Sequence, residues 1–218
     1  MRKTIKYILL AVIAIVAIRA AFYTENLTEK TKREQMAEYK PAQLVEALFR
    51  DSIATLDSKA VTLQQLREGI NDKEFIAAHS RVLGIGSPYF FIVKGEMTTS
   101  QMEDDELHAT IDGIEAVIPL KYIFGNTARE ASGWFNIDDF QNTTDFNAVS
   151  AEMNRYIREK VVSTIDKDDD ASTNTPEGGN TKGAEAGTVS FTAAVAIPKD
   201  VKDVKALTLI PFTLTSGK

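Results

Sequence analysis

Glu106-Leu107-His108-Ala109-Thr110-Ile111-Asp112-Gly113-Ile114-Glu115-Ala116-Val117-Ile118-Pro119-Leu120 is the stretch from which the fold is read. Two β-forming runs, Glu106 to Ile111 and Ile114 to Leu120, flank Asp112-Gly113, and this dipeptide tolerates the positive φ angles of a type I′ turn. The spacing predicts a β-hairpin. Upstream, Gly84-Ile85-Gly86-Ser87-Pro88 is turn chemistry, and Tyr89 to Val93 begins a strand that runs through Lys94 and Gly95 to Thr99. Three strands therefore follow one another.

Downstream, Phe124 to Gly133 holds a Gly-Asn turn and a short helical piece, and Trp134 to Ile137 reads as a short strand. From Thr144 to Ile165, Phe146, Val149, Met153, Tyr156, Ile157, Lys160 and Val161 recur along one helical stripe, with Asp145 near the positive N-terminal end. Residues 166–187 carry an acidic run, polar residues and glycines, which predicts a flexible loop. Val189, Phe191, Ala193, Val195 and Ile197 then alternate, as do Leu207, Leu209 and residues up to Leu214, giving two closing strands joined by a polar turn at Lys199 to Asp203. Ahead of the first strand, Leu44, Val45, Leu48, Phe49, Ile53 and Leu56 mark one amphipathic helix of about four turns. A further pair of short helices begins near Thr62, interrupted at Gly69 and Asn71. The expected class is α+β: a five-stranded, partly open barrel of the OB type, with N-terminal helices added and a helix between strands three and four.

Residues 1–23 form an export-type segment: Arg2, Lys3 and Lys6 precede an apolar run from Tyr7 to Ile18. That run covers about 18 Å of a roughly 30 Å hydrocarbon core. It reaches spanning length if Arg19 snorkels and the helix continues through Ala20, Ala21, Phe22 and Tyr23. An uncleaved single-pass anchor is the favoured expectation. The alternatives are a cleaved signal, which the residues around Arg19 suit poorly, and a buried helix of a cytoplasmic domain. With the basic end inside, a polar stalk at residues 24–40 and a domain at residues 41–218 lie outside the cytoplasmic membrane, facing the periplasm or cell exterior.

The 218 residues are 44% hydrophobic and 26% charged, enough for one real core. A net charge of −6 and a pI near 5.1 oppose binding to a phosphate backbone, so no nucleic-acid partner is expected. The absence of cysteine removes disulfides, thiolate metal sites and cysteine nucleophiles together. His79 and His108 stand apart and are read as surface or helix-end residues. No serine lies in a Gly-x-Ser-x-Gly turn. Gly84-Ile85-Gly86 precedes a strand instead of opening a helix, so it is a turn and not a phosphate loop. Asp166, Asp168, Asp170, Asn174 and Glu177 have calcium-hand spacing, but Ala171 replaces the turn glycine and no exit helix follows Gly178-Gly179. No cofactor and no metal are expected. The Glu103 to Glu106 carboxylates protect a hairpin edge. Asp138-Asp139, between Trp134-Phe135 and Phe140, could hold a sugar ring, although capped turns and core aromatics account for the same pattern.

Phe124-Gly125-Asn126-Thr127-Ala128-Arg129-Glu130-Ala131 and Phe135-Asn136-Ile137-Asp138-Asp139-Phe140-Gln141-Asn142 resemble the DUF2291 family of predicted periplasmic lipoproteins. Phe91-Ile92-Val93-Lys94-Gly95-Glu96, Gly187-Thr188-Val189-Ser190-Phe191 and Ile210-Pro211-Phe212 also resemble its pattern, so the similarity runs from about Pro41 to Thr215. The resemblance implies an OB-type barrel with extra helices and an association with sugar ABC-transport systems of the ribose type. The lipid-bearing cysteine of such proteins is missing, which leaves attachment to the hydrophobic segment. Loop 166–187 reads as a local insertion.

The function expected is a non-enzymatic accessory protein at the envelope membrane, with ABC-transport components as partners. A carbohydrate-binding module with Trp134 as stacking platform is the second reading, and an enzyme the third. In all of them Arg129, Trp134, Asp138, Asp139 and Asn142 are the candidate ligand or partner surface, unless they build a stabilising corner.

Overall fold

The computed structural model describes residues 40–164 and 187–216. The expected anchor at 1–23, the stalk as far as residue 39 and nearly all of the loop at 166–187, with its calcium-like spacing, lie outside the described residues. Four short helices come first: α1 (Pro41–Asp51), α2 (Ile53–Lys59), α3 (Leu63–Gly69) and α4 (Lys73–His79). Two-residue strands β1 (Val61–Thr62) and β2 (Ser80–Arg81) punctuate them. The barrel strands are β3 (Tyr89–Glu103), β4 (Glu106–Ile111), β5 (Ile114–Pro119), β6 (Thr188–Ile197), β7 (Ala206–Thr208) and β8 (Ile210–Ser216). Between β5 and β6 stand α5 (Thr127–Ser132), a 3₁₀ turn (Ile137–Asp139) and α6 (Thr143–Tyr156), which runs into a π-helical turn (Ile157–Val162).

The strand order is β7-β5-β4-β3-β6-β8. Only Leu209 separates β7 from β8, so one segment runs parallel to β5 and then antiparallel to β6. The Leu209 N–H donates to the Val117 carbonyl at 2.9 Å, which carries the pairing across the interruption. Counting β7 and β8 as one strand gives five strands curled into an OB-type barrel, with the helical insertion between the third and fourth. This is the expected order.

Two tight turns set the meander. Asp112 and Gly113 both have positive φ, 49° and 80°, as the type I′ reading requires. Asp104 and Asp105 adopt φ of 50° and 63° between β3 and β4, so β3 extends to Glu103, past the expected end at Thr99. The pairing of β3 with β4 shifts register between Thr99 and Gln101, where the Ser100 hydroxyl donates to the His108 carbonyl at 3.1 Å. A second shift, between Thr192 and Ala193 of β6, falls opposite Pro211, which has no N–H to give a ladder.

Inward residues of every barrel strand meet the helices in one core, with Phe91, Leu107, Ile118, Val195, Leu209 and Ile157 essentially sealed from solvent. Thr62 and Gln65 close a reciprocal capping box at the start of α3, and Asp72 caps α4, so this region is two helices as expected.

Three local expectations are corrected. The helix drawn from Leu44 through Leu56 is divided at Ser52, after Asp51. Trp134 to Ile137 is not a strand: Gly133, at φ 60°, ends α5 in the left-handed conformation, and Ile137–Asp139 coil into a 3₁₀ turn. The helix from Thr144 widens into a π turn after Tyr156, which brings Ile157, Val161 and Val162 to the buried face and leaves Lys160 exposed.

Leu209→Ala removes a fully buried side chain at the junction that joins the two sheet edges. The expected cost is about 2–5 kcal/mol, read as a lower urea midpoint with the slope unchanged.

Candidate functional site

The five residues singled out in the sequence occupy a structural corner. Arg129, in α5, lies over the Phe146 ring with its guanidinium carbon 4.2 Å from the centroid, donates to the Ser150 hydroxyl at 2.7 Å, and is ion-paired with its neighbour Glu130. Both charges are nearly buried, with side chains 11% and 6% exposed, so they stand in low dielectric and depend on each other. Trp134 is half-buried and packs against Phe49 and Phe212, at 5.1 and 5.5 Å between ring centroids. Asp139 accepts the Asn136 N–H at 2.9 Å, closing the 3₁₀ turn. Asn142 caps α6: its Oδ1 accepts the Asp145 N–H and its Nδ2 donates to the Asp145 carboxylate, both at 2.9 Å. Asp138 is exposed on the same turn. The motif thus joins α5 to α6, and its aromatic members Phe135, Phe140 and Phe146 pack edge to face.

A different set of aromatics faces solvent. Lys121-Tyr122-Ile123-Phe124 links β5 to α5; Ile123 turns into the core, so Tyr122 and Phe124 share the outer side. Their rings stack 5.7 Å apart and 4° from parallel, and Phe124 is 78% exposed. The Lys121 ammonium sits 5.3 Å from the Tyr122 ring and 3.2 Å from the Asp105 carboxylate, whose hydrogen bond and charge hold it above the usual lysine range. Tyr122 and Phe124 border a cleft of ≈640 Å³. Its opposite wall comes from the end of β6 and the connection to β7, with Ile197, Pro198 and Val201, and it contains one acid and one base, Asp203 and Lys205. Large apolar rings left exposed beside a concave apolar wall are the usual signature of a recognition surface. In the sequence Phe124 opens a Gly-Asn turn segment, which masks the pair. The alternation of Tyr122, Ile123 and Phe124 was the available signal.

Among the described residues, no group of three or more histidine, aspartate or glutamate side chains is placed to hold a metal ion. His79 is the exposed last residue of α4, and His108 is half-buried in β4. No helix among the described residues is long and apolar enough to cross a membrane.

Residues 11–215 match the family described as "Predicted periplasmic lipoprotein (DUF2291)". The chain belongs to that family, whose function is unknown and whose description gives an envelope location; these 218 residues contain no cysteine to carry a lipid. Among solved structures, it is similar to an OB-fold protein from Thermotoga maritima at 18% identity, with a TM-score of 0.66, over 82% of this chain and 99% of that one. That likeness establishes the fold. No curated protein matches.

The corner around Arg129 makes its own prediction. Arg129→Met leaves the Glu130 carboxylate buried without its cation and is expected to cost about 3–5 kcal/mol. Adding Glu130→Met should restore most of that loss. Equal destabilisation of the single and double variants in urea titrations would mean that the pair is not an isolated unit.

Proposed function

We propose that this DUF2291 protein is a non-enzymatic accessory protein of the cell envelope, held at the outer face of the cytoplasmic membrane by its segment 1–23, that docks a partner protein in the cleft beside Tyr122 and Phe124. The partner class to test is a component of a sugar ABC transporter. The observation that carries this reading is the stacked, solvent-facing pair Tyr122–Phe124 against a wall of Ile197, Pro198 and Val201. Rigid aromatic side chains bury large area at little entropic cost and dominate interface energetics. In OB-type barrels the connection between strands four and five, here residues 198–205, is a recurrent ligand-binding loop.

A second reading, carbohydrate binding, finds its support at Phe124 and not at Trp134. Both neighbours of Trp134 are core aromatics, whereas Phe124 stands open beside Thr127 and Asp203, which could accept sugar hydroxyl hydrogens. The cleft is more apolar than a sugar site ordinarily requires, which favours the protein partner.

The test uses the full chain in solubilised membranes. The paired variant Tyr122→Ser, Phe124→Ser alters exposed positions, so stability should change by no more than about 0.5 kcal/mol for each. Recovery of a co-purifying transport component should fall at least about tenfold, the loss of one good aromatic anchor. Undiminished recovery would sink the cleft as the docking site, and recovery of no transport component by the native chain would remove the partner class. Calorimetry with neutral pentoses and hexoses separates the second reading: saturable heat abolished by Phe124→Ser would put a sugar there.

A further inference from the structure

The N-terminal helices build a second concavity away from the aromatic cleft. β1 and β2 lie along the same edge of β3, β2 opposite Phe90 and Phe91 and β1 opposite Val93 and Lys94, while β6 holds the other edge. Ile92, between those two short ladders, lines a pocket of ≈630 Å³ together with residues of α2, α4 and the end of α5. We propose that this pocket binds a small hydroxylated solute carrying an oxyanion, carboxylate or phosphate, through Lys59, His79 and Arg81.

The charge of this pocket runs against that of the chain. The chain carries a net charge of −6, yet the titratable side chains lining this pocket are Lys59, His79 and Arg81, and no carboxylate is among them. Three other clefts all contain acids: Asp203 beside the aromatic pair, Glu68 and Asp112 next to α3, and Asp104 and Asp105 at the first hairpin tip. Neither Lys59 nor Arg81 is ion-paired with a described carboxylate. Cations gathered in a concave site with no described carboxylate among its lining focus a positive potential there.

The Arg81 guanidinium is preorganised. Arg81 Nη2 donates to the Asn136 side-chain oxygen at 3.0 Å. Its Nη1 lies over Gly133, where an added Cβ would sit only 1.8 Å from that nitrogen. Gly133 therefore has two duties, supplying the left-handed end of α5 and clearing the space in which the guanidinium lies. A guanidinium has five N–H donors in a fixed fork, and the bond to Asn136 uses one.

Serine hydroxyls surround the cations. Ser58, Ser80 and Ser132 also line the pocket, and each hydroxyl donates to a backbone carbonyl, of Thr55, Ile76 and Arg129 respectively. A serine whose proton is committed in this way offers lone pairs to a ligand, although the Ser132 oxygen already accepts the Trp134 N–H at 3.5 Å. Cationic donors for an oxyanion and hydroxyl acceptors for O–H groups together fit a sugar acid or a sugar phosphate. The aromatic cleft offers no comparable set.

The test is an amide NMR titration of the full chain in detergent micelles with glucuronate, glucose 6-phosphate, inorganic phosphate and glucose. The two hydroxylated anions should give saturable shifts centred on Lys59 to Val61, His79 to Arg81 and Gly133, and glucose should not. The stronger of glucuronate and glucose 6-phosphate identifies the oxyanion as carboxylate or phosphate, and inorganic phosphate should bind at the same residues more weakly than glucose 6-phosphate. Because Arg81 also holds Asn136, the decisive variant is Lys59→Gln with His79→Gln, both at exposed positions, expected to weaken binding at least about tenfold. Glucose shifting the same amides equally, anion shifts spread without saturation over the surface lysines, or unchanged affinity in that variant would each overturn the proposal. Tyr122→Ser with Phe124→Ser should leave these affinities untouched, so the pocket and the docking cleft stand or fall separately.

Discussion

The architecture depends on one strand changing partners. β3 pairs with β6 from Tyr89 to Thr98, and with β4 from Thr98 to Glu103. A flat sheet would not need that exchange. The extra residue near Ser100 bends the strand where one neighbour gives way to the other, and bulges are the ordinary device by which a sheet curls into a barrel. The first half of β3 also has a second edge, which β1 and β2 cover incompletely. The helices packed there, α2 to α4, are therefore placed by β3 as much as the barrel is.

This arrangement separates two kinds of surface. The aromatic cleft is formed by chain leaving β5 and chain leaving β6, the connections that vary most freely on such a barrel. The cationic pocket belongs to the added helices and to the interrupted edge of β3. The conspicuous motif from Arg129 to Asn142 belongs to neither as a whole; Ser132 and Gly133 line the pocket and Asn136 holds Arg81, while Arg129, Trp134, Asp138, Asp139 and Asn142 stand outside its lining. Arginine, tryptophan, aspartate and asparagine serve recognition sites and buried corners alike, because both require convergent hydrogen bonds and shaped apolar faces. Here Ser150, Phe146 and Glu130 satisfy the arginine from within.

What could be read from the sequence follows the range of the forces involved. Asp112-Gly113, the alternation through β6 and the Thr62 box are local, and each specifies its element without help from the rest of the chain. The break at Ser52 and the widening after Tyr156 are tertiary compromises: a regular helix would serve local propensity equally well, and packing selects the irregular form. Leu209 reads as one more inward residue, and nothing local announces that the strand changes neighbours there. The candidate sites were hidden for a related reason. Lys59, His79, Arg81 and Gly133 lie on four separate elements, and only the pairing along β3 brings them to one pocket. Tyr122 and Phe124 stand two positions apart, and in a sequence Phe124 is indistinguishable from any other apolar residue beside a turn.

The single-residue junction at Leu209 also constrains the order of assembly. A chain synthesised from its N-terminus presents β3, β4 and β5 long before residues 206–216 exist, and β5 has to wait about 90 positions for its parallel neighbour. Such a topology is rich in non-local pairs, which slows folding. Until the last described strand arrives, the outer edge of β5 and one edge of β6 remain unsatisfied, each able to pair with another copy. The barrel is thus closed last by its latest-made piece, and a nascent chain of this protein has a vulnerable interval during which a holding factor would be of most use.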